Sequence, residues 1–222
     1  MDQNASDFEL ARTHMVESQV RPNRVNDPKI LEAMRSLPRE RFVPPEQAAL
    51  AYADADVSLG EGRVLLAPML LARLVQLAEP RAGERALVVG AGTGYGAAVL
   101  AECGAVVTAL EEDRRLLALA RELLPSLAPS VRVVEGPLAA GWPADGPWHI
   151  VLIEGAVRAI PSALAGQIVR QNGRLVAVLA PSRGTSRAVL GRPSAGRVAL
   201  QGVFDCATSL LPSLAPAPEF TF

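Results

Sequence analysis

The chain has 222 residues, a net charge of −1 and a composition that is 50% hydrophobic, so it suits one large domain with a full core. No apolar run reaches the length of a membrane span, and the polar start Met1-Asp2-Gln3-Asn4 is unlike a secretory signal. No basic block is present, which argues against a nucleic-acid partner.

Residues 7–36 read as two short helices. The second starts at Asp27-Pro28, because proline suits a first helical turn. Pro38 to Pro45 is a charged, proline-rich connector. Tyr52 to Arg63 reads as irregular and acidic, with Gly60 and Gly62 inside it. Helical periodicity returns from Ala67 to Glu79, behind Pro68. The next segment, Arg85 to Ala101, is a short apolar run, then Gly90-x-Gly92-x-Gly94-Tyr95, then an alanine-rich helical pattern. This predicts a buried strand at 85–89, a glycine turn and a helix at 95–103. Glycines let the backbone turn tightly and let a ligand approach it, and the free N–H groups of the helix start face that ligand.

The glycine spacing discriminates between ligands. A dinucleotide site wants G-x-G-x-x-G, whereas here the third glycine comes one residue early, which favours S-adenosylmethionine over NAD. A second apolar run, 106–110, ends in Glu111-Glu112. An acid about 20 residues past the glycines is placed to hold ribose hydroxyls, and Glu111 is the better candidate of the two. The other reading of both acids is a solvated helix start.

Helices follow at 114–124 and 157–170, and strands at 131–134, 150–154 and 174–180. Such alternation predicts a parallel sheet with helices on both faces. The tail differs, because 187–190 and 198–204 flank a Pro/Ser/Gly turn and predict an antiparallel hairpin. The expected fold is therefore α/β: a doubly wound, mostly parallel seven-stranded sheet of the S-adenosylmethionine-dependent methyltransferase type. The expectation is a single domain over 1–222, with a helical substrate-side region at 1–79 and a cofactor-binding core at 80–222.

Several separate segments, in order, resemble the protein-L-isoaspartate O-methyltransferase family. They are Met15-Val16-x-x-Gln19-Val20-Arg21, Ile30-Leu31-x-Ala33-Met34, Pro38-Arg39-x-x-Phe42-Val43-Pro44, Ala51-Tyr52-x-Asp54 with Leu59-Gly60, Gly94-Tyr95-x-Ala97-Ala98-Val99-Leu100-Ala101, and Gly173-Arg174-Leu175-Val176. The resemblance covers most of the chain. It implies S-adenosylmethionine as cofactor and isoaspartyl-containing damaged proteins as partners, with methyl transfer to the free isoaspartyl carboxylate. That chemistry asks little of the protein, since a carboxylate is already ionised at neutral pH and needs no base. Alignment and water exclusion remain.

The resemblance implies a cofactor set of Gly90, Ala91, Gly92, Thr93, Gly94, Glu111, Glu112 and Leu138. Asp54 and Glu154 are candidate catalytic positions; their plain alternatives are a turn former and a capping acid. Three positions depart from the family pattern. Leu66 stands where the family has a serine, and leucine neither donates nor accepts a hydrogen bond. Val88 replaces an acid two residues before the glycine loop. Pro137 replaces an aspartate that holds the adenine amino group in the family. These departures leave open a divergent member that binds the cofactor or a partner, or methylates another acceptor.

Other residues carry plainer expectations. His14 and His149 read as surface or core-edge histidines. Arg21 and Arg39 read as surface salt-pairing residues, with attraction of an acidic substrate as the alternative. Trp142 and Trp148 bracket a loop and read as packing. Cys103 and Cys206 lack metal-ligand spacing, so no metal is expected and a reducing cytoplasmic location is the default. A monomer or small homo-oligomer is expected. Phe220 and Phe222 predict docking of the C-terminal tail.

Overall fold

The structure is a computed structural model and describes residues 3–195 and 197–215. A long N-terminal helix, α1 (Gln3–Met15), passes into a wide turn at Val16–Val20 and a tight one at Arg21–Asn23. Asp27 caps α2 (Pro28–Ser36) by accepting the Lys29 N–H at 2.9 Å, with Pro28 in the first turn as the sequence predicts. Two short 3₁₀ turns, Arg39–Phe42 and Pro45–Leu50, form the connector.

The segment read as irregular contains a small hairpin, β1 (Val57–Gly60) and β2 (Arg63–Leu65), paired antiparallel. Val57 and Leu59 alternate inward, and Gly60, Glu61 and Gly62 all take positive φ in the tight turn. The glycines that suggested a loop are what let the hairpin close.

Helix α3 (Pro68–Ala78) leads into the main sheet: β3 (Arg85–Val89), α4 (Tyr95–Glu102), β4 (Val106–Glu111), α5 (Arg114–Leu127), β5 (Arg132–Glu135), β6 (Ile150–Val157), α6 (Ser162–Gly166), β7 (Arg174–Leu179), β8 (Arg187–Ser194) and β9 (Arg197–Asp205). The strand order is β5-β4-β3-β6-β7-β8-β9. Strands β3 to β7 pair in parallel, and β8 and β9 add the antiparallel hairpin. This is the expected seven-stranded architecture.

A second element differs from expectation. The helix expected at 157–170 shrinks to the five residues of α6, while β6 runs on to Val157. Pro161 forces the residue before it toward extended backbone, which delays any helix until Ser162. Gly155, at φ 146, lets β6 bend at that point.

The sheet separates two apolar clusters. One joins α2, α3 and α4 through Ile30, Met34, Phe42, Leu71, Val88 and Val99; the other contains Leu87, Val89, Leu110, Trp148, Val151 and Ile153. The order in which strands are added to the sheet reverses between the parallel neighbours β3 and β6, so the crevice where such folds bind ligands opens at the carboxyl ends of these two strands. Among the described residues no helix is long and apolar enough to cross a membrane.

Candidate functional site

Gly90, Gly92 and Gly94 take φ values of 73°, 59° and 97°, a path that side-chain-bearing residues rarely follow. The turn is pinned to the end of β4. The Gly90 and Ala91 N–H groups donate to the Leu110 carbonyl at 3.0 and 3.1 Å, and Gly94 N–H donates to Ala91 at 2.9 Å. Gly92 N–H donates to Glu111 Oε2 at 2.7 Å, and the Thr93 hydroxyl donates to the Phe42 carbonyl at 2.7 Å. These N–H groups of the turn are thus satisfied from within the protein.

Glu111 is fully buried, and its carboxylate is saturated. Besides Gly92 it accepts the N–H groups of Glu112 and Asp113, both at 2.9 Å. Arg63 then closes on it with two parallel bonds, Nη1 to Oε1 at 2.7 Å and Nη2 to Oε2 at 2.8 Å. The same Nη2 donates to the Gly90 carbonyl at 3.0 Å. Burial by itself would lower the Arg63 pKa; bonding to Glu111 outweighs it and raises the pKa above the usual arginine value. The pairing spans 48 positions of chain and has no local sequence signal.

Leu211 fills the neighbouring space. A Cβ on Gly90 would meet its side chain at 3.1 Å, and one on Gly155 at 2.7 Å. At the end of β5, Leu138 is buried, and its N–H donates to Glu112 at 3.2 Å. Pro137 is exposed. Val88 lies in the core beneath the turn.

The glycine turn has the shape to admit a nucleoside cofactor, and two side chains of the protein stand beside it. Arg63 is bonded to both carboxylate oxygens of Glu111, and Leu211 lies on the first glycine. An open hollow of about 710 Å³ lies beside the crevice, between Phe42, Leu59, Thr93, Arg115 and Leu119.

Glu154 ends up buried, with Oε1 aimed at Gly96 in the first turn of α4 and lacking a hydrogen-bond partner. Burial pushes its pKa up to about 8, against the smaller pull of Arg63. Close by, Arg39 is fully buried rather than surface-paired. Its guanidinium donates to the carbonyls of Ala51 and Leu66, both at 2.6 Å, and lies 4.9 Å from the centre of the Tyr95 ring. Arg39 Nη1 and the Tyr95 hydroxyl are likewise buried without partners. Leu66 packs in the core, so only its carbonyl is polar at this point.

Asp54 is exposed and lines a hollow with Arg73, Phe204 and Cys206, while its neighbour Asp56 does the structural work. Asp56 accepts the Ala67 N–H at 2.7 Å and the Thr208 hydroxyl at 2.6 Å. Arg21 pairs with Glu17 at 3.2 Å on the surface. His14 is exposed, and His149 Nδ1 accepts the Arg85 N–H at 3.2 Å. Trp142 and Trp148 pack the loop they bracket, Nε1 of Trp142 donating to Asp145 and that of Trp148 to the Trp142 carbonyl. Among the described residues no three His, Cys, Asp or Glu side chains cluster as a metal site would need.

Comparison with known proteins places this architecture. The family model for protein-L-isoaspartate(D-aspartate) O-methyltransferase (PCMT) matches residues 11–202. The protein-L-isoaspartate O-methyltransferase of Methylorubrum populi is 41% identical over 176 residues, 79% of this chain and 82% of that protein. The enzyme of the same name from Aeropyrum pernix is 38% identical over 178 residues, 78% of this chain and 68% of its own. Among solved structures, a protein-L-isoaspartate O-methyltransferase superposes with a TM-score of 0.79 at 21% identity, covering 92% of this chain and 67% of that one. A Plasmodium falciparum structure, described as a beta-aspartate methyltransferase (PCMT) in complex with S-adenosyl-L-homocysteine, gives 0.76 at 18% identity, covering 91% and 98%. At such identities the structural likeness speaks for the fold, while the family match and the sequence relatives speak for descent. Taken with the glycine turn at the head of a seven-stranded sheet, they make this chain a member of the protein-L-isoaspartate(D-aspartate) O-methyltransferase family.

Proposed function

We propose that the chain is an S-adenosylmethionine-dependent O-methyltransferase acting on isoaspartyl carboxylates in damaged proteins. The observation that carries this reading is the glycine turn between β3 and α4, embedded in a chain that matches its family over residues 11–202. The acceptor chemistry fits the side chains available. An isoaspartyl carboxylate arrives already ionised, so no catalytic base is needed. Glu154, with its pKa pushed up to about 8, is mostly protonated at neutral pH and does not repel an incoming carboxylate. Arg39, buried beside it with one unpartnered nitrogen, supplies positive charge. Arg63 and Leu211 stand at the mouth of the crevice, against Glu111 and Gly90.

The test is transfer of a labelled methyl group from S-adenosylmethionine to an isoaspartyl peptide, with the aspartyl peptide as control. Base-labile methyl ester on the isoaspartyl peptide alone is expected. Absence of ester at high enzyme concentration overturns the acceptor assignment. A second reading, a family member that binds rather than methylates, is favoured by Leu66 and by the saturated Glu111. Turnover on any acceptor would overturn it.

A further inference from the structure

The segment after β9 turns back across the carboxyl ends of β3 and β6. The Ala156 N–H donates to the Ser209 carbonyl at 2.9 Å, and the Leu211 N–H donates back to the Ala156 carbonyl at 2.9 Å. Thr208 is tied to Asp56, Pro212 rests against Gly62, and the turn Pro212–Leu214 packs on the turn Leu138–Ala140. Between these points Leu211 drops into the crevice and is 2% exposed, in contact with the first glycine of the turn and with Gly155. Arg63 completes the closure from the other side through Glu111 and the Gly90 carbonyl.

The geometry points to a self-occupied crevice: residues 208–214 form an autoinhibitory strap, and the cofactor enters only when this strap lifts Leu211 off Gly90 and Arg63 releases Glu111. The inference rests on the reading of the chain as an S-adenosylmethionine-dependent enzyme. It concerns what stands in the site and not what the site binds.

The strap is built to come off. It holds on by two backbone hydrogen bonds, one side-chain hydrogen bond, the deeply buried Leu211 and the partly buried Leu210 and Leu214. Ala207, Ser209, Pro212 and Ser213 are exposed. Segments with so few buried contacts open locally without global unfolding. Opening leaves the ladders of the seven-stranded sheet paired as they are and breaks only the isolated bridge between Ala156 of β6 and Leu210. A site competent only in the open form has its apparent affinity reduced by the fraction open, so closure tunes cofactor affinity without altering any cofactor contact.

The experiment is calorimetric titration of S-adenosylhomocysteine into the full chain, Leu211→Ala, and a locked variant. The lock is Ala156→Cys with Leu210→Cys, made in a Cys206→Ser background. Residues 156 and 210 face each other in a strand bridge, a separation that a disulfide spans. Leu211→Ala is expected to bind at least tenfold tighter than the parent chain. The oxidised lock is expected to show no binding at millimolar ligand and to regain parental affinity on reduction. The lock keeps the test valid if Leu211→Ala folds poorly, because it works in the opposite direction. Equal affinity in the parent, Leu211→Ala and oxidised lock overturns the strap and leaves the cofactor reading standing. Absence of binding in all forms, reduced and unlocked included, overturns both.

Discussion

Two buried acids meet opposite fates. Glu111 is matched inside the protein by five hydrogen-bond donors, counting the two from Arg63. Removing one partner of such a pair leaves an uncompensated buried charge, at a cost of about 3–5 kcal/mol. Arg63→Ala is therefore expected to lower stability by that amount in denaturant titration. Adding Glu111→Gln to it is expected to recover part of the loss, because glutamine keeps an acceptor for Gly92 without the charge. Glu154 instead keeps its proton. Its pKa rises from the ordinary 4.5 to about 8, so the folded chain holds a proton that the unfolded chain releases between these values. Stability contributed by this group is fully present below about 4.5, falls as the pH rises, and is lost above about 8. Thermal melts should show the midpoint falling between pH 5 and pH 8.5, and the fall should shrink in Glu154→Gln. An unchanged fall in that variant would assign the effect elsewhere.

At the scale of elements, the glycine turn is shaped by what packs on it as much as by its own sequence. Gly94 caps α4 at φ 97°, and a Cβ there would meet the Leu124 side chain of α5 at 2.7 Å. Gly94→Ala faces both a disfavoured backbone and a clash, so it is expected to cost more than about 1 kcal/mol. Gly94→Ala combined with Leu124→Ala should remove the clash and leave the backbone term, which a double-mutant cycle in chemical denaturation separates. Local sequence rules succeeded where the cause is local. Asp27-Pro28 starts a helix, and alternation of apolar runs sets β3, β4, β6 and β7. They failed where a proline or a glycine served a distant geometry. Pro161 truncates the expected helix at 157–170, and the Gly60–Gly62 stretch closes a hairpin whose purpose is to present Arg63.

For the molecule as a whole, the crevice and the chain's end form one coupled unit. If the strap lifts on cofactor binding, saturating S-adenosylhomocysteine is expected to speed amide hydrogen exchange at Ala156 and Leu211 while β3 and β4 stay protected. Unchanged or slower exchange at both amides would show the ligand binding with the strap in place. The docking expected of Phe220 and Phe222 lies outside the described residues.

The sequence alone determined the fold class, the glycine turn and the family, because each is written in spacing: a period, a motif or an ordered set of short matches. It also exposed Leu66, Val88 and Pro137 as departures. Only the tertiary structure decided what stands in the crevice. Arg63 meets Glu111 across 48 positions, Thr208 meets Asp56 across 152, and Leu211 reaches Gly90 across more than half of the chain. Such partners have no period or spacing to betray them, since they are neighbours only after the sheet has ordered the strand ends. The charge state of Glu154 was hidden for the same reason: it depends on how completely the folded chain excludes water from that side chain.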